Sequence, residues 1–379
     1  MVLTETIKII LTKDQKEKVE LTMKEYIGMV NKLVPIMLEN KTSRRLTTST
    51  IQSVLPSAIL NQCIRDARGI VKKYTERCNE ALKKYGALYS RVEGSSINKK
   101  IKIPVLKKLC FYVNNQNYKI MGDIIEFPIA TKWYFKRIRV HTWLTDRQKS
   151  ILSNVKLGTL RITYKGEKLV AQISYEIPEP ECRGGGNVMG IDLGIKCPAV
   201  SYISNGHISF HGNGRKNKYI RRHFEYLRKK CVQDKHPEAI KRFGSKEQRI
   251  MRDIDHKISK EIIETAVAND VKVIKIEQIV NIGSTTSTSR KNRKALNNWS
   301  YYRLKSYISY KARLSGIKVE FVKPNFTSQT CPKCGKRHHA RDRRYSCTCG
   351  VKMHRDLIAA INICNSTEYV GDSVIRHTA

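Results

Sequence analysis

Cys331, Cys334, Cys347 and Cys349 stand in two tight pairs, Cys331-x-x-Cys334 and Cys347-x-Cys349, each followed at once by glycine. Four thiolates on two turns suit tetrahedral zinc, and a closed set of four leaves no position for substrate, so this chemistry is structural. The second pair is one residue shorter than the usual spacing but still chelates. His338, His339 and His354 lie close enough to compete as ligands. The first two are better placed in the exposed basic loop between the pairs. The other cysteines, Cys63, Cys78, Cys110, Cys182, Cys197, Cys231 and Cys364, are scattered singly, as small core residues are in a reducing compartment.

Three acids sit where acids are costly. Asp192 lies in "VMGIDLGI", an apolar run flanked by Gly190 and Gly194. A carboxylate in such a strand needs a cation or donors to compensate it, and the glycines open the backbone to close approach by something large. Glu277 closes the apolar run "VKVIKIE" in the same way. Asp356 starts "HRDLIAAINI", where a helix N-terminus also favours negative charge. Each alone has an ordinary reading as a strand end or a first-turn residue. Together they point to a cleft of acids that binds metal.

The elements that must carry these residues can be read from hydrophobic period. "TETIKIILT" alternates as a strand. Thr12 with Gln15 makes a capping box, and Val19, Met23, Tyr26, Val30 and Leu33 follow at helical spacing. Pro35 is expected to end or kink that helix. Leu60, Cys63, Ala67, Val71 and Tyr74 repeat the spacing, so residues 13–90 read as a helical bundle. "YKIMGDIIEF" predicts two short strands around Gly122-Asp123, and "LRITYKGEKLVAQISYEI" a hairpin turning at Lys165-Gly166. A β module, 1–12 with 91–185, is thus split by the helices. "PEPECRGGG" (178–186) is a linker and a domain boundary.

Beyond the linker come "VMGIDLG" as a buried strand and "AVSYISNGHISFHG" as a strand pair turning at Asn205-Gly206. A basic helix follows near 215–231, then one with Ile250, Ile254, Ile258 and Ile262 on one face. The strands "VKVIKIE" and "IKVEFV" and a final helix from about Arg355 complete the series. Three strands, helix, strand, helix, strand, helix is the order of a ribonuclease H-like fold. Residues 186–330 and 351–379 form this domain, with the cysteine segment 331–350 inserted in it. The fold class is therefore multidomain α+β.

The 379 residues carry 72 Lys plus Arg against 33 Asp plus Glu, a net charge of +39. Such an excess is tolerable when a polyanion neutralises it. No stretch is apolar and long enough for a membrane span, and Met1 to Glu5 lack the pattern of a secretory signal, so a cytoplasmic protein that binds nucleic acid is expected. Arg215 to Lys230, with Tyr219 and Phe224 interleaved, is a candidate contact; its plain alternative is a solvated helix face. "NIGSTTSTSRKNRKALNN" (281–298) reads as a flexible loop, or more sharply as a lid over the acidic cleft.

The segments "GIDLGIKCPAVSY", "VIKIEQI" and "HRDLIAAINI" resemble the three divided motifs of RuvC-like nuclease domains. With "TSQTCPKCG" between the second and third, and "KRFGSKEQRIMRDIDHKIS" before the second, the whole layout resembles the TnpB family, transposon-encoded relatives of type V CRISPR effectors. Gln278 departs from the Asp or Asn common after the second acid. The resemblance implies an RNA-guided DNA endonuclease of an insertion sequence. Its catalytic residues would be Asp192, Glu277 and Asp356 holding two Mg²⁺, with one Zn²⁺ on the four cysteines. It implies a β-barrel-like wedge for guide RNA, an inserted helical recognition lobe, and a monomer acting on double-stranded DNA beside a short flanking motif. The rivals are a small type V effector, a guide-directed repressor without cleavage, and an RNA-independent transposase or resolvase.

Overall fold

The computed structural model describes residues 1–39, 46–89, 101–130, 136–182, 185–279, 296, 299–340 and 342–370. The chain divides into two compact units, Met1–Pro178 and Glu179–Ala379. The segment 281–298 lies outside the described residues but for residue 296.

The first unit is built on a seven-stranded antiparallel sheet. Its strands are β1 (Val2–Ile10), β2 (Cys110–Val113), β3 (Lys119–Met121), β4 (Ile124–Ile129), β5 (Lys136–Trp143), β6 (Lys156–Lys165) and β7 (Lys168–Glu176). They lie in the order β2-β6-β7-β1-β5-β4-β3, so the N-terminal strand is central, between β7 and β5. The first turn forms at Gly122-Asp123 as expected, and the second falls one residue later than expected, at Gly166-Glu167, with Lys165 still paired to Lys168. Gly122 and Gly166 have φ of 57° and 66°, a region open to glycine at no steric cost. Strand β5, "KRIRVHTW", carries too much charge to stand out as a strand. Glu126 on β4 meets Arg137 at 2.6 Å and Arg139 at 2.9 Å across the β4–β5 ladder, which accommodates that charge.

Helices α1 (Lys13–Glu39) and α2 (Ser57–Tyr89) pack on this sheet, and the short α3 (Asp146–Ser153) links β5 to β6. The capping box is present: Thr12 N–H donates to Gln15 Oε1 (3.1 Å) and Gln15 N–H to Thr12 Oγ1 (3.2 Å). Of the two readings of Pro35, an end to the helix is corrected. The helix does not end at Pro35; it runs to Glu39, one further turn, held by burial of Val34 and Met37. Among the described residues the helices do not enclose a bundle core of their own. Met23, Tyr26, Ile59 and Cys63 share one core with Phe111, Phe127 and Ile162 of the sheet, because each helix has only one apolar stripe to bury.

The second unit holds β8 (Asn187–Asp192), β9 (Ala199–Ile203), β10 (Ile208–His211), β11 (Val271–Glu277) and β12 (Lys318–Val322) in the order β10-β9-β8-β11-β12. β8, β9 and β10 are antiparallel; β11 lies parallel to both β8 and β12. Strands buried on both faces read as continuous apolar runs, which is why "VKVIKIE" was legible. One face packs on α5 (Lys246–Ala268) and α6 (Tyr301–Leu314), where Met189, Ile191, Ile274 and Ile276 meet Ile258, Ile262, Leu304 and Ile308. The other face carries α7 (Arg355–Asn365), with Val200 against Leu357 and Ala360.

The basic helix α4 (Gly214–Gln233) buries only Gly214 and Phe224. Phe224 is therefore part of the packing and not an exposed aromatic between basic residues; Tyr219 is exposed and stacks on His223. Among the described residues no helix is long and apolar enough to cross a membrane.

Candidate active site

The three acids come from β8, β11 and α7, and strand register brings the first two together. Ile191 pairs with Ile276 on the adjacent parallel strand, so Asp192 and Glu277, each one residue on, leave the sheet side by side. Neighbouring strands are about 4.8 Å apart. Side chains alternate between faces, so Asp192 shares its face with Gly190, and Glu277 shares its face with Lys275.

That face is the one α7 covers. A Cβ on Gly190 would fall 2.2 Å from Ala360 O and 2.4 Å from Cys364 N, so the backbone lies directly under the helix. Lys275 Nζ donates to Cys364 O (3.0 Å) and Ser366 O (2.8 Å), capping the helix C-terminus. From Ala360 back to Asp356 is about 6 Å of helix, and from Gly190 to Asp192 is about 6.6 Å of strand. Helix and strand therefore bring their acids to the same end. The close approach that Gly190 allows is thus made by this chain's own helix, while Gly194 lies against Cys197 O.

Electrostatics agree with this convergence. Burial pushes Asp192 well above the usual carboxylate range, and the charges of Glu277 and Asp356 push it further. Burial also raises Glu277, against the lowering effect of the Thr327 hydroxyl, which donates to Glu277 Oε1. Asp356 is buried, and Nη1 of Arg343 donates to both of its oxygens. Arg355 Nε lies 3.7 Å from Asp356 and His354 Nδ1 4.0 Å away. Three carboxylates gather here, and among the described residues Arg343 and Arg355 lie beside Asp356 and partly offset the rise at Asp192. A set of hard oxygens short of positive charge fits a divalent cation such as magnesium.

The surrounding groups hold the acids in place. Asn362 Nδ2 on α7 donates to Thr327 O and Thr330 O, both at 2.7 Å, fixing the loop that presents Thr327. The Tyr301 hydroxyl donates to Glu277 O and accepts from Ile279 N–H (3.0 Å). Gln278 N–H donates to Val322 O (2.8 Å), and its side-chain oxygen accepts from buried Lys305.

The sulfur atoms of Cys331, Cys334, Cys347 and Cys349 all lie within 4.8 Å of one another, with Cys331–Cys349 at 3.5 Å and Cys334–Cys347 at 3.4 Å. A zinc–sulfur bond of about 2.3 Å in a tetrahedron implies sulfur atoms about 3.8 Å apart, so the four fit zinc. The two turns share one frame. Cys331 N–H donates to Lys336 O and Cys347 N–H to Val351 O, both at 2.9 Å, while Gly335 and Gly350 N–H return to Cys331 O and Cys347 O at 3.0 Å. Gly335 and Gly350 have φ of 71° and 91°. The shorter second pair keeps this frame with one residue fewer. His338 instead packs edge-on to Tyr345, and His354 Nδ1 caps α7 by accepting from Asp356 N–H at 3.3 Å.

A family profile described as "Cas12f1-like, TNB domain" matches residues 301–363, from α6 through the cysteine cluster to α7. A TnpB-like protein of Methanocaldococcus jannaschii is 30% identical over 269 residues, which span 67% of this chain and 94% of that protein. The chain belongs to the TnpB-like family. A CRISPR-associated endodeoxyribonuclease Cas12f1 of Sulfoacidibacillus thermotolerans is 25% identical over 292 residues, 69% of this TnpB-like chain and 68% of that one. A solved Cas12f1, from a complex described as Cas12f1–sgRNA–target DNA, superposes with a TM-score of 0.56 over 96% of this chain and 99% of that one. At 15% identity that likeness shows the fold: a Cas12-like multidomain α+β architecture.

Several residues of this TnpB-like site carried no mark in the sequence. Thr327 stood inside "TSQTCPKCG", and Arg343 in a basic loop among other arginines. Asn362 and Lys305 lie on helices whose period marks only their apolar face.

Proposed function

We propose that this chain is an RNA-guided DNA endonuclease that cuts through a RuvC-like centre of Asp192, Glu277 and Asp356. The observation that carries the reading is the convergence of three acids from β8, β11 and α7, where the charges of Glu277 and Asp356 add to burial in raising the proton affinity of Asp192. The strand order, third-second-first-fourth-fifth, supports a ribonuclease H-like domain around them. Two magnesium ions held by these acids would supply an activated water and stabilise charge on the leaving 3′ oxygen. Thr327 then orients Glu277, and Asn362 fixes Thr327. Arg355, beside Asp356, is placed to offset phosphate charge.

Cys331, Cys334, Cys347 and Cys349 hold one structural zinc in this reading, and the ribbon they form positions α7: Ile358 packs against Cys331, Tyr345 and Cys347. The net charge of +39 suits a guide RNA from the transposon end and double-stranded target DNA, bound by a monomer. The sheet of the first unit is the wedge, and α1 and α2 are the recognition lobe. In such effectors base pairing reads the target sequence and the protein reads a short flanking motif.

The test is to express the chain with its native downstream DNA, sequence the copurifying RNA, and assay cleavage of matched plasmid. A discrete RNA that directs metal-dependent cutting, abolished in Asp192→Ala with binding retained, is the expected result. Random cellular RNA with unguided cutting would move the reading to a plain nuclease.

A further inference from the structure

Arg343 meets Asp356 in an unusual way. A single nitrogen, Nη1, donates to both carboxylate oxygens, so it sits astride the carboxylate where a chelated cation would sit. Arginine pairs with carboxylates most firmly side by side, two nitrogens to two oxygens. Here one positively charged nitrogen occupies both oxygens, which a divalent ion bound to Asp356 would need to share. The backbone of Arg343 is tied to the start of α7, since its carbonyl accepts from Arg355 N–H at 2.8 Å. The Arg343 side chain is partly exposed (22%), whereas the Asp356 side chain is 4% exposed, so the guanidinium has solvent to move into.

We propose that Arg343 is a resident placeholder cation, occupying the chelating position on Asp356 until a divalent ion displaces it. Without it Asp356 would be a buried charge beside two further acids, a costly state in the metal-free chain. The guanidinium offsets that cost, and a divalent ion must compete with it. The apparent affinity for metal is then the intrinsic affinity reduced by the fraction of time Arg343 has left. Because Arg343 immediately precedes strand β13 (Arg344–Ser346) of the cysteine hairpin, the ribbon sets where the placeholder sits.

The inference rests on the reading of Asp192, Glu277 and Asp356 as a metal centre, and the experiment separates the two. Mn²⁺ binding to the full zinc-loaded chain is titrated without nucleic acid, by electron paramagnetic resonance and calorimetry, in wild type, Asp192→Ala, Arg343→Gln and Arg343→Lys. Loss of binding in Asp192→Ala upholds the centre. Arg343→Gln is then expected to bind Mn²⁺ about ten-fold more tightly if the placeholder is in position about nine-tenths of the time. Its metal-free form should melt lower than wild type and gain more on Mn²⁺ addition. Arg343→Lys, which keeps the charge but is too short to sit astride both oxygens, should fall between them and serves if the glutamine variant does not fold. A structural ion pair would give unchanged or weaker Mn²⁺ binding in both variants, and that result overturns the proposal. Unaltered Mn²⁺ binding in Asp192→Ala overturns the metal-centre reading itself.

Discussion

Gly190 lies against the peptide that links Ala360 to the rest of α7: a Cβ at residue 190 would stand 2.2 Å from Ala360 O. Neither backbone can rotate away as a side chain could. The contact therefore sets the height of the helix above β8 and, one turn earlier in α7, the position of Asp356. Gly190→Ala removes none of the three acids but lifts the helix that carries the third. Overpacking of this kind costs about 1–3 kcal/mol, and a misplacement of about 1 Å at a reacting centre costs on the order of 100-fold in rate. Guided cleavage is expected to fall by that order, with a lowered melting temperature and unchanged guide binding. Wild-type cleavage rates in this variant would show that Asp356 is placed by other contacts.

Thr327 supplies Glu277 with a donor that holds its proton affinity down against burial. Thr327→Val keeps the shape and removes the hydroxyl. Glu277 then rises further above the usual carboxylate range, so at a given pH more of it is protonated and less can hold a cation. The acid limb of the cleavage rate profile should move to higher pH, and the deficit should shrink as pH rises. Thr327→Ser should restore the wild-type profile. An unmoved limb in the valine variant would mean that Glu277 is not among the groups whose ionisation limits cutting.

The apolar strand runs and the acids at their ends were legible because burial on both faces leaves an unbroken hydrophobic signal that a single acid interrupts. The cysteine pairs were legible because chelation fixes their spacing. Strand β5 was not, since its arginines are tolerated only through Glu126 across the ladder. Nor was the sharing of one core by Tyr26 and Phe111, which depends on how helix and sheet meet and not on the period of either. The same holds at the site. Arg343 is 13 residues from Asp356 and Thr327 is 50 residues from Glu277, and only the fold brings each pair into contact.

The cysteine ribbon leads straight into α7, with β13 paired to β14 (Lys352–His354) and His354 capping the helix that begins at Arg355. Zinc removal should therefore reach the acids as well as the ribbon. Elemental analysis is expected to find one zinc per chain, and none in Cys334→Ser. Binding of structural zinc in small fingers is worth about 10–16 kcal/mol at neutral pH, so the ribbon should lose order and cutting should be lost with it. Asp192→Ala keeps its zinc and should keep its ribbon, which distinguishes the two routes to an inactive protein. Full cleavage by a zinc-free chain would separate the ribbon from the acidic centre.

Lys305 is buried on α6, its ammonium 4.0 Å from the Phe321 ring centroid and donating to the Gln278 side chain next to Glu277. Burial brings its pKa down to about 8. Below that pH both folded and unfolded chains hold the proton, and the folded chain bears the full cost of a buried charge. Between about 8 and the ordinary lysine value the unfolded chain holds a proton that the folded chain has released, so this group's contribution to stability rises with pH. At about 1.4 kcal/mol per pKa unit the cost at neutral pH is a few kcal/mol. Lys305→Met should thus melt above wild type at pH 7, and the gap should narrow as pH is raised to about 9.5. Thermal melts of the two proteins across that range are the measurement. A gap that stays constant would mean that Lys305 keeps its proton throughout, with Phe321 and Gln278 fully compensating its burial.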